Sequence, residues 1–341
     1  MSEKKPNQIN DKILLEVKNL RTSFFTNAGE VKAVDDISYY INKGEVVALV
    51  GESGCGKSVS QLSVLQLVQS PPGKILGGKV IFEGMNLLDF SPNSKEMRGI
   101  RGAAISMIFQ EPMTSLNPII TVGNQLTEVI RTHKKADKKD AWQIATRALA
   151  EVEIPDPVNR MKNYPYEMSG GMRQRVMIAT AIACDSKLII ADEPTTALDV
   201  TTQAQVMELI INIIKKYGKS FLLVTHNLGI VTRYANRIYV MYAGKVVESG
   251  KTEELMTKPK HPYTIGLLNS VPKLDDSKEK DLVPIKGTPP SLINLQKMCT
   301  FLPRCPYANE ACKSNDFPGL RKIEGHEHFV ACHLNLSEVD R

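Results

Sequence analysis

Apolar residues fall along this chain in short runs closed by glycine, proline or carboxylate. Leu14 to Leu20 and Val31 to Ile41 alternate or run apolar with β-branched residues, and Asn27-Ala28-Gly29 between them suits a turn. That pattern predicts a small antiparallel sheet. Val46-Val47-Ala48-Leu49-Val50 is apolar throughout, as in a strand covered on both faces. A helix is predicted over Val59 to Val68 and is broken by Pro71-Pro72-Gly73; strands follow at Gly77 to Phe82, with a turn at Glu83-Gly84, and at Ile105 to Phe109. Two prolines in Glu111 to Pro118 mean that this stretch cannot be a regular helix throughout. Between Thr121 and Glu153 the spacing is helical, with Val122, Leu126, Val129 and Ile130 on one face and Ala141, Ile144, Ala145, Ala148 and Leu149 on another. Tyr164-Pro165 breaks that segment, and a helix rich in small residues runs on to Ala183. Leu188 to Ala191 and Phe221 to Thr225 read as buried strands flanking a helix from Gln203 to Tyr217, which Gly218 stops. Arg237 to Tyr242 and Lys245 to Glu248, joined by Ala243-Gly244, predict a hairpin that closes an α/β domain.

The stretch after the first buried run reads Gly51-Glu52-Ser53-Gly54-Cys55-Gly56-Lys57-Ser58. A strand that breaks into glycines, a lysine and a hydroxyl is a phosphate cradle: backbone N–H groups turn inward, the lysine bridges the β and γ phosphates, and the hydroxyl serves Mg²⁺. A second anion-binding arrangement is Ser169-Gly170-Gly171 at the start of a helix. The strand ending in Asp192-Glu193-Pro194 places two carboxylates at a carboxyl end, where open α/β sheets bind ligands. Asp192 suits Mg²⁺ through water, and Glu193 can accept a proton from an attacking water. His226 ends a strand of the same predicted sheet and can reach the γ-phosphate. Phe24 and Phe25 are each available to stack on a base or to fill a core.

Composition narrows this little. At 341 residues, 42% hydrophobic and 23% charged, the chain has room for a large core, and it carries no apolar run able to span a bilayer. The polar start, Met1 to Lys12, lacks the apolar core of a secretory signal, so a cytoplasmic location is expected. The net charge of +6 argues only weakly for nucleic acid or anionic lipid, and the lysines at 134, 135, 138 and 139 read as a solvated helix connection. The cysteines are more telling: Cys299, Cys305, Cys312 and Cys332 crowd the terminal segment. Four thiols in a reducing compartment suggest a metal rather than disulfides, although the close Cys-x-x-Cys pairs of zinc sites are missing. A cluster, zinc and free structural thiols all remain open on the residues alone, with His326, His328 and His333 as substitute ligands or ordinary loop histidines.

Over about residues 12 to 265 these motifs resemble the nucleotide-binding subunit of ATP-binding cassette (ABC) transporters. They supply, in order, a Walker A loop at Gly51 to Ser58, a Q-loop at Gln110, a signature at Ser169-Gly170-Gly171, a Walker B strand ending in Asp192 and Glu193, a D-loop at Asp199 and a switch histidine at His226. The resemblance implies a RecA-like P-loop NTPase core with an antiparallel β subdomain and a helical subdomain at about 111–185. A flexible tail at 1–11 and an extension at 266–341 would complete the chain. It implies ATP held by Gly51, Ser53, Gly54, Cys55, Gly56, Lys57, Ser58 and Val59 under the base-stacking Phe24, with Mg²⁺ served by Ser58, Gln110 and Asp192. Glu193, His226 and Gln110 would be the catalytic residues. Two cassettes would face head to tail, so that Ser169, Gly170, Gly171 and Asp199 act on the partner's nucleotide. One departure is Met172, where many cassettes carry glutamine; Ser169 and the backbone amides survive, so hydrolysis is expected.

The Walker A sequence, this signature and the tail motifs His261-Pro262-Tyr263-Thr264 and Gly287-Thr288-Pro289-Pro290 are similar to the D-type ATPase subunits of oligopeptide and dipeptide importers. For that family the resemblance implies a related F-type ATPase subunit, two transmembrane permeases and, through them, an extracytoplasmic peptide-binding protein, at the cytoplasmic face of the membrane. It also implies a [4Fe-4S] cluster on the four terminal cysteines. A nickel importer ATPase shares these motifs, and so does a soluble ABC ATPase acting on nucleic acid or ribosomes. Only 110 residues separate Ser58 from Ser169, and there is one cassette, so no nucleic-acid partner is expected.

Overall fold

The computed structural model describes residues 12–196, 198–270, 284–295, 297–314 and 316–334. The tail expected at 1–11 lies outside them. The hairpin of β1 (Ile13–Thr26) and β2 (Gly29–Asn42) turns at Asn27-Ala28 and joins β4 (Gly73–Phe82) and β5 (Met85–Asn86) in a four-stranded antiparallel sheet ordered β2-β1-β4-β5. The larger sheet holds β3 (Val46–Val50), β6 (Ile105–Ile108), β7 (Leu188–Asp192), β8 (Ser220–Thr225), β9 (Arg237–Tyr242), β10 (Lys245–Lys251), β11 (Arg321–Lys322) and β12 (Phe329–Val330), ordered β11-β12-β10-β9-β3-β8-β7-β6. Strands β9, β3, β8, β7 and β6 are parallel.

The uniformly apolar runs follow from burial of both faces of this sheet. Val46, Ala48 and Val50 enter one core with the helices Val122–Lys134, Lys138–Glu151 and Gly170–Ile182, whereas Val47 and Leu49 enter a second core beneath the antiparallel sheet. β8 divides in the same way, Phe221 and Leu223 against Leu222 and Val224. The period of two therefore decides which layer each side chain holds.

Several elements differ from expectation or add to it: β4 starts at Gly73, inside the expected break, and a single helical turn, Pro112–Ser115, forms in the proline-bearing segment. The helix after the phosphate loop spans Lys57–Val64, starting at the lysine and ending early, because Gln66 takes a left-handed φ of 51° and Arg101 donates to the carbonyls of Leu65 (2.7 Å) and Gln66 (2.9 Å). The helix expected from Gln203 starts at Val200, because Asp199 caps it by accepting from the Thr202 N–H at 3.0 Å. The β9–β10 hairpin is not the sheet's edge: β12 pairs with β10 and β11 with β12, so the terminal segment extends the central sheet.

Candidate functional site

The sheet order sets the site. Strand β3 lies beside β8 and β8 beside β7, so the phosphate loop, His226 and the Asp192-Glu193 pair emerge from three adjacent carboxyl ends, with Gln110 following β6 at the next one. Between them lies a cleft of about 590 Å³ lined by Ala33, Glu52, Ser53, Gly54, Gly56, Lys57, Ser58, Val59, Gln110, Glu193, Thr196 and His226.

Gly56 takes φ 100° against the carbonyl of Ala33, a conformation and an approach closed to a Cβ. Gly51 and Cys55 lie beneath the loop rather than on its surface. Lys57 is buried and donates to the carbonyls of Gly51 (2.7 Å) and Glu52 (2.9 Å). The Ser58 hydroxyl donates to Asp192 Oδ1 at 3.0 Å. Burial pushes the Asp192 carboxyl above its ordinary range, and the neighbouring Glu193 adds to this, with the Ser58 bond and Lys57 opposing.

Glu193 adopts a left-handed φ of 45°, a strained backbone at the end of a strand. Its Oε1 lies 3.1 Å from His226 Nδ1, and its Oε2 accepts from Thr196 Oγ1 at 2.9 Å and from Gln110 Nε2 at 3.4 Å. Burial raises its pKa, but the bonds from His226 and Thr196 and the nearby Lys57 charge prevail, and the net shift is downward. The result is an ionised carboxylate fixed from three sides at the mouth of the phosphate loop.

Other expected residues lie elsewhere. Phe24 does not line the cleft; its ring packs beside Gly73 of β4. Ser169, Gly170, Gly171 and Asp199 do not line it either. Ser169 caps the helix Gly170–Ile182 by accepting from the Met172 N–H at 3.3 Å, and Ser169 and Gly170 are exposed. Met172 packs its side chain against the core, so the departure at that position leaves the helix start intact.

Cys299, Cys305, Cys312 and Cys332, all free thiols, line one small cavity together with His261 and His333. Burial pushes the Cys305 thiol up to about 11, with Cys299, Cys332 and Cys312 adding to the rise. Among the described residues no three His, Cys, Asp or Glu side chains are grouped closely enough to hold a metal ion. His328 is not an exposed loop residue: it is buried, with Nε2 2.7 Å from Glu248 Oε1. His326 pairs with Glu254 at 2.5 Å. Of the three substitute histidines, His333 is the one on the cavity wall.

The ABC transporter family matches residues 34–196, and the family described as oligopeptide/dipeptide transporter, C-terminal region, matches residues 247–312. The oligopeptide transport ATP-binding protein AppD of Bacillus subtilis (strain 168) is 52% identical over 89% of this chain and 91% of its own length. The dipeptide transport ATP-binding protein DppD of the same organism is 49% identical over 94% of both chains. The chain belongs to the ATP-binding proteins of oligopeptide and dipeptide ABC transporters. The cassette fold agrees: MJ0796, solved as a dimer in a post-hydrolysis state bound to ADP and Pi, superposes with a TM-score of 0.62 at 27% identity, over 70% of this chain and 98% of that one. Among the described residues of this cassette no helix is long and apolar enough to cross a membrane.

Sequence reasoning missed Ala33, Thr196 and Glu52 as parts of the ABC cleft. A threonine three residues after Glu193 is the one signal that spacing offered. Ala33 is placed by a sheet contact and Glu52 by a bond to a residue far along the chain, and neither leaves a local pattern.

Proposed function

We propose that this chain is the ATP-hydrolysing subunit of a peptide importer, working at the cytoplasmic face of the membrane as a head-to-tail dimer with a related F-type ATPase subunit. The observation that carries the reading is the fixing of Glu193 by His226, Thr196 and Gln110 at the mouth of the Walker A cleft, in a chain about half identical to peptide transport ATP-binding proteins. Dimerisation and permease partners come with the family. The signature, exposed at Ser169 and Gly170 and not part of its own cleft's lining, supports action on a partner's nucleotide.

In this reading Ser53, Gly54 and Gly56 present loop amides to the phosphates, and Lys57, which donates to two loop carbonyls and, at 3.8 Å, to Cys55 Sγ, would turn from the long sulfur contact to the β and γ oxygens. Ser58, Asp192 and Gln110 would hold Mg²⁺, which supplies charge neutralisation at the phosphates. Glu193 takes the proton of the attacking water and His226 holds that carboxylate in line. Ser169, Gly170 and Gly171 would close on the partner's γ-phosphate with a helix N-terminus, and Asp199 would sit between the two sites. Phe24 is the candidate for base stacking, although it does not line the described cleft.

Phe109, Met113 and Ile119, on the segment between β6 and the helix Val122–Lys134, are 41%, 63% and 80% exposed. Apolar side chains left in water next to the Q-loop suit a permease docking surface, through which Gln110 would relay closure. The permeases in turn would receive peptide from an extracytoplasmic binding protein.

The four cysteines suit a [4Fe-4S] cluster in donor set. Zinc would use the same four thiolates, and among the described residues they are not grouped closely enough to hold either metal, so loading would have to draw them together. Bound there, a cluster would supply a cross-link between the segments that carry the cysteines. Anaerobic purification should give brown protein with bound iron, and colourless, iron-free protein would remove this part of the proposal. The function itself is tested by assembling the chain with its F-type partner and permeases and measuring peptide-stimulated ATP hydrolysis; its absence would overturn the reading.

A further inference from the structure

We propose that Arg304, in the terminal extension, and Tyr263, on the helix Pro262–Asn269 that leads into it, are positioning residues for the phosphate loop, so that the C-terminal part of the chain sets how tightly this cassette holds nucleotide. The inference rests on the cleft being the nucleotide site and adds residues outside the cassette motifs to its construction.

Glu52 is the second residue of the Walker A loop and lines the cleft. Neither of its polar ends is free for a ligand. Its N–H donates to the Tyr263 hydroxyl at 2.8 Å, and its carboxylate takes both arms of Arg304, at 2.7 Å to Nη1 and 3.1 Å to Nη2. A planar fork on a carboxylate fixes direction as well as distance. The guanidinium is itself fixed: Nε donates to the Lys286 carbonyl at 3.1 Å, Nη2 to the Ile285 carbonyl at 3.3 Å and Nη1 to the Tyr242 hydroxyl at 3.3 Å. Its side chain is 4% exposed. Tyr263 is equally confined, fully buried with ring centroids 4.6 Å from Tyr242 and 5.5 Å from Phe301.

The same extension reaches the opposite wall. The Leu292 carbonyl accepts from the Lys32 N–H at 3.1 Å, and the Asn294 N–H donates to the Glu30 carbonyl at 3.3 Å. These bonds hold the strand that leads into Ala33, whose carbonyl abuts Gly56. The loop is therefore gripped at Glu52 and bounded at Gly56 by groups that the extension fixes. A cradle made of backbone amides binds phosphate only in one register, and here that register is imposed from outside the loop.

The test uses the full chain and a fluorescent ATP analogue, comparing Arg304→Lys, Glu52→Gln and the double variant by equilibrium binding and by thermal melting. A hydrogen bond to a charged group is worth about a factor of ten, so each single variant should weaken binding about tenfold. The double variant should be no weaker than the weaker single one, since both remove one contact. In the assembled transporter the effect should appear in KM for ATP, with kcat changed by less than about twofold. Unaltered affinity in a folded Arg304→Lys chain, or additive losses in the double variant, would overturn the proposal. Should Arg304→Lys fail to fold, Glu52→Gln decides alone, and wild-type affinity in that variant would also overturn it. A wild-type chain that binds no nucleotide would instead sink the functional reading beneath it.

Discussion

Gly54 and Gly56 sit two residues apart in the same loop, both with positive φ, yet the structure assigns them different sensitivities. At Gly54, with φ 78°, a Cβ would meet nothing within 4 Å. Gly54→Ala therefore costs only the left-handed backbone, about 1–2 kcal/mol, and at most roughly tenfold in nucleotide affinity, where the free loop relaxes the strain and binding restores it. At Gly56, with φ 100°, a Cβ would lie 2.0 Å from the Ala33 carbonyl oxygen, where ordinary contact begins at 3.4 Å. The loop and β2 would have to part by more than 1 Å, enough to break one or two loop-amide bonds to phosphate at about 1.5–3 kcal/mol each, or about a hundredfold in affinity. Gly56→Ala should thus bind a fluorescent ATP analogue about a hundredfold more weakly than Gly54→Ala. Gly44→Ala supplies the control, since Gly44 has φ 72°, no neighbour within 4 Å and no place in the cleft. It should lose about 1 kcal/mol of stability and no affinity. Equal losses at Gly54 and Gly56, with both chains folded by thermal melting, would refute the contact geometry on which the cradle rests.

Three further outcomes follow from the packing. His328→Ala should cost about 2–3 kcal/mol in chemical denaturation because it strips a buried partner from Glu248, whereas His326→Ala, with its half-exposed ring, should cost less than about 1 kcal/mol. Phe301→Ala removes a ring packed edge-on against Tyr242 and should destabilise by about 3–5 kcal/mol, lowering the denaturation midpoint. Ile119→Asp should leave nucleotide binding by the isolated chain intact while abolishing co-purification with the permeases; normal assembly would remove Ile119 from the docking surface.

Much of this was legible in the sequence because its signals are local. Val46 to Val50 reads as a buried strand since both faces are covered, and Gly51 to Ser58 reads as a cradle since its chemistry is contiguous. Helix ends were less legible. Asp199 looked like part of a loop motif and is also an N-cap, while the stop after Val64 depends on Arg101, a residue whose role only the fold reveals. Least legible were pairs brought together by folding, such as Arg304 with Glu52, 252 positions apart. Phe24 shows another limit: spacing left base stacking and core packing equally open and only the family resemblance chose between them, because a strand residue's direction is set by register with its neighbours, and here its ring packs beside Gly73.

The measurement that bears most directly on the account is ATP hydrolysis and peptide uptake by the transporter reconstituted in vesicles, with the unaltered chain and with Glu193→Gln. The geometry around Glu193 predicts that the variant still binds ATP but loses hydrolysis and uptake together, by about a hundredfold or more. Undiminished hydrolysis and uptake in the Glu193→Gln transporter would contradict the claim that this chain's carboxylate drives the importer.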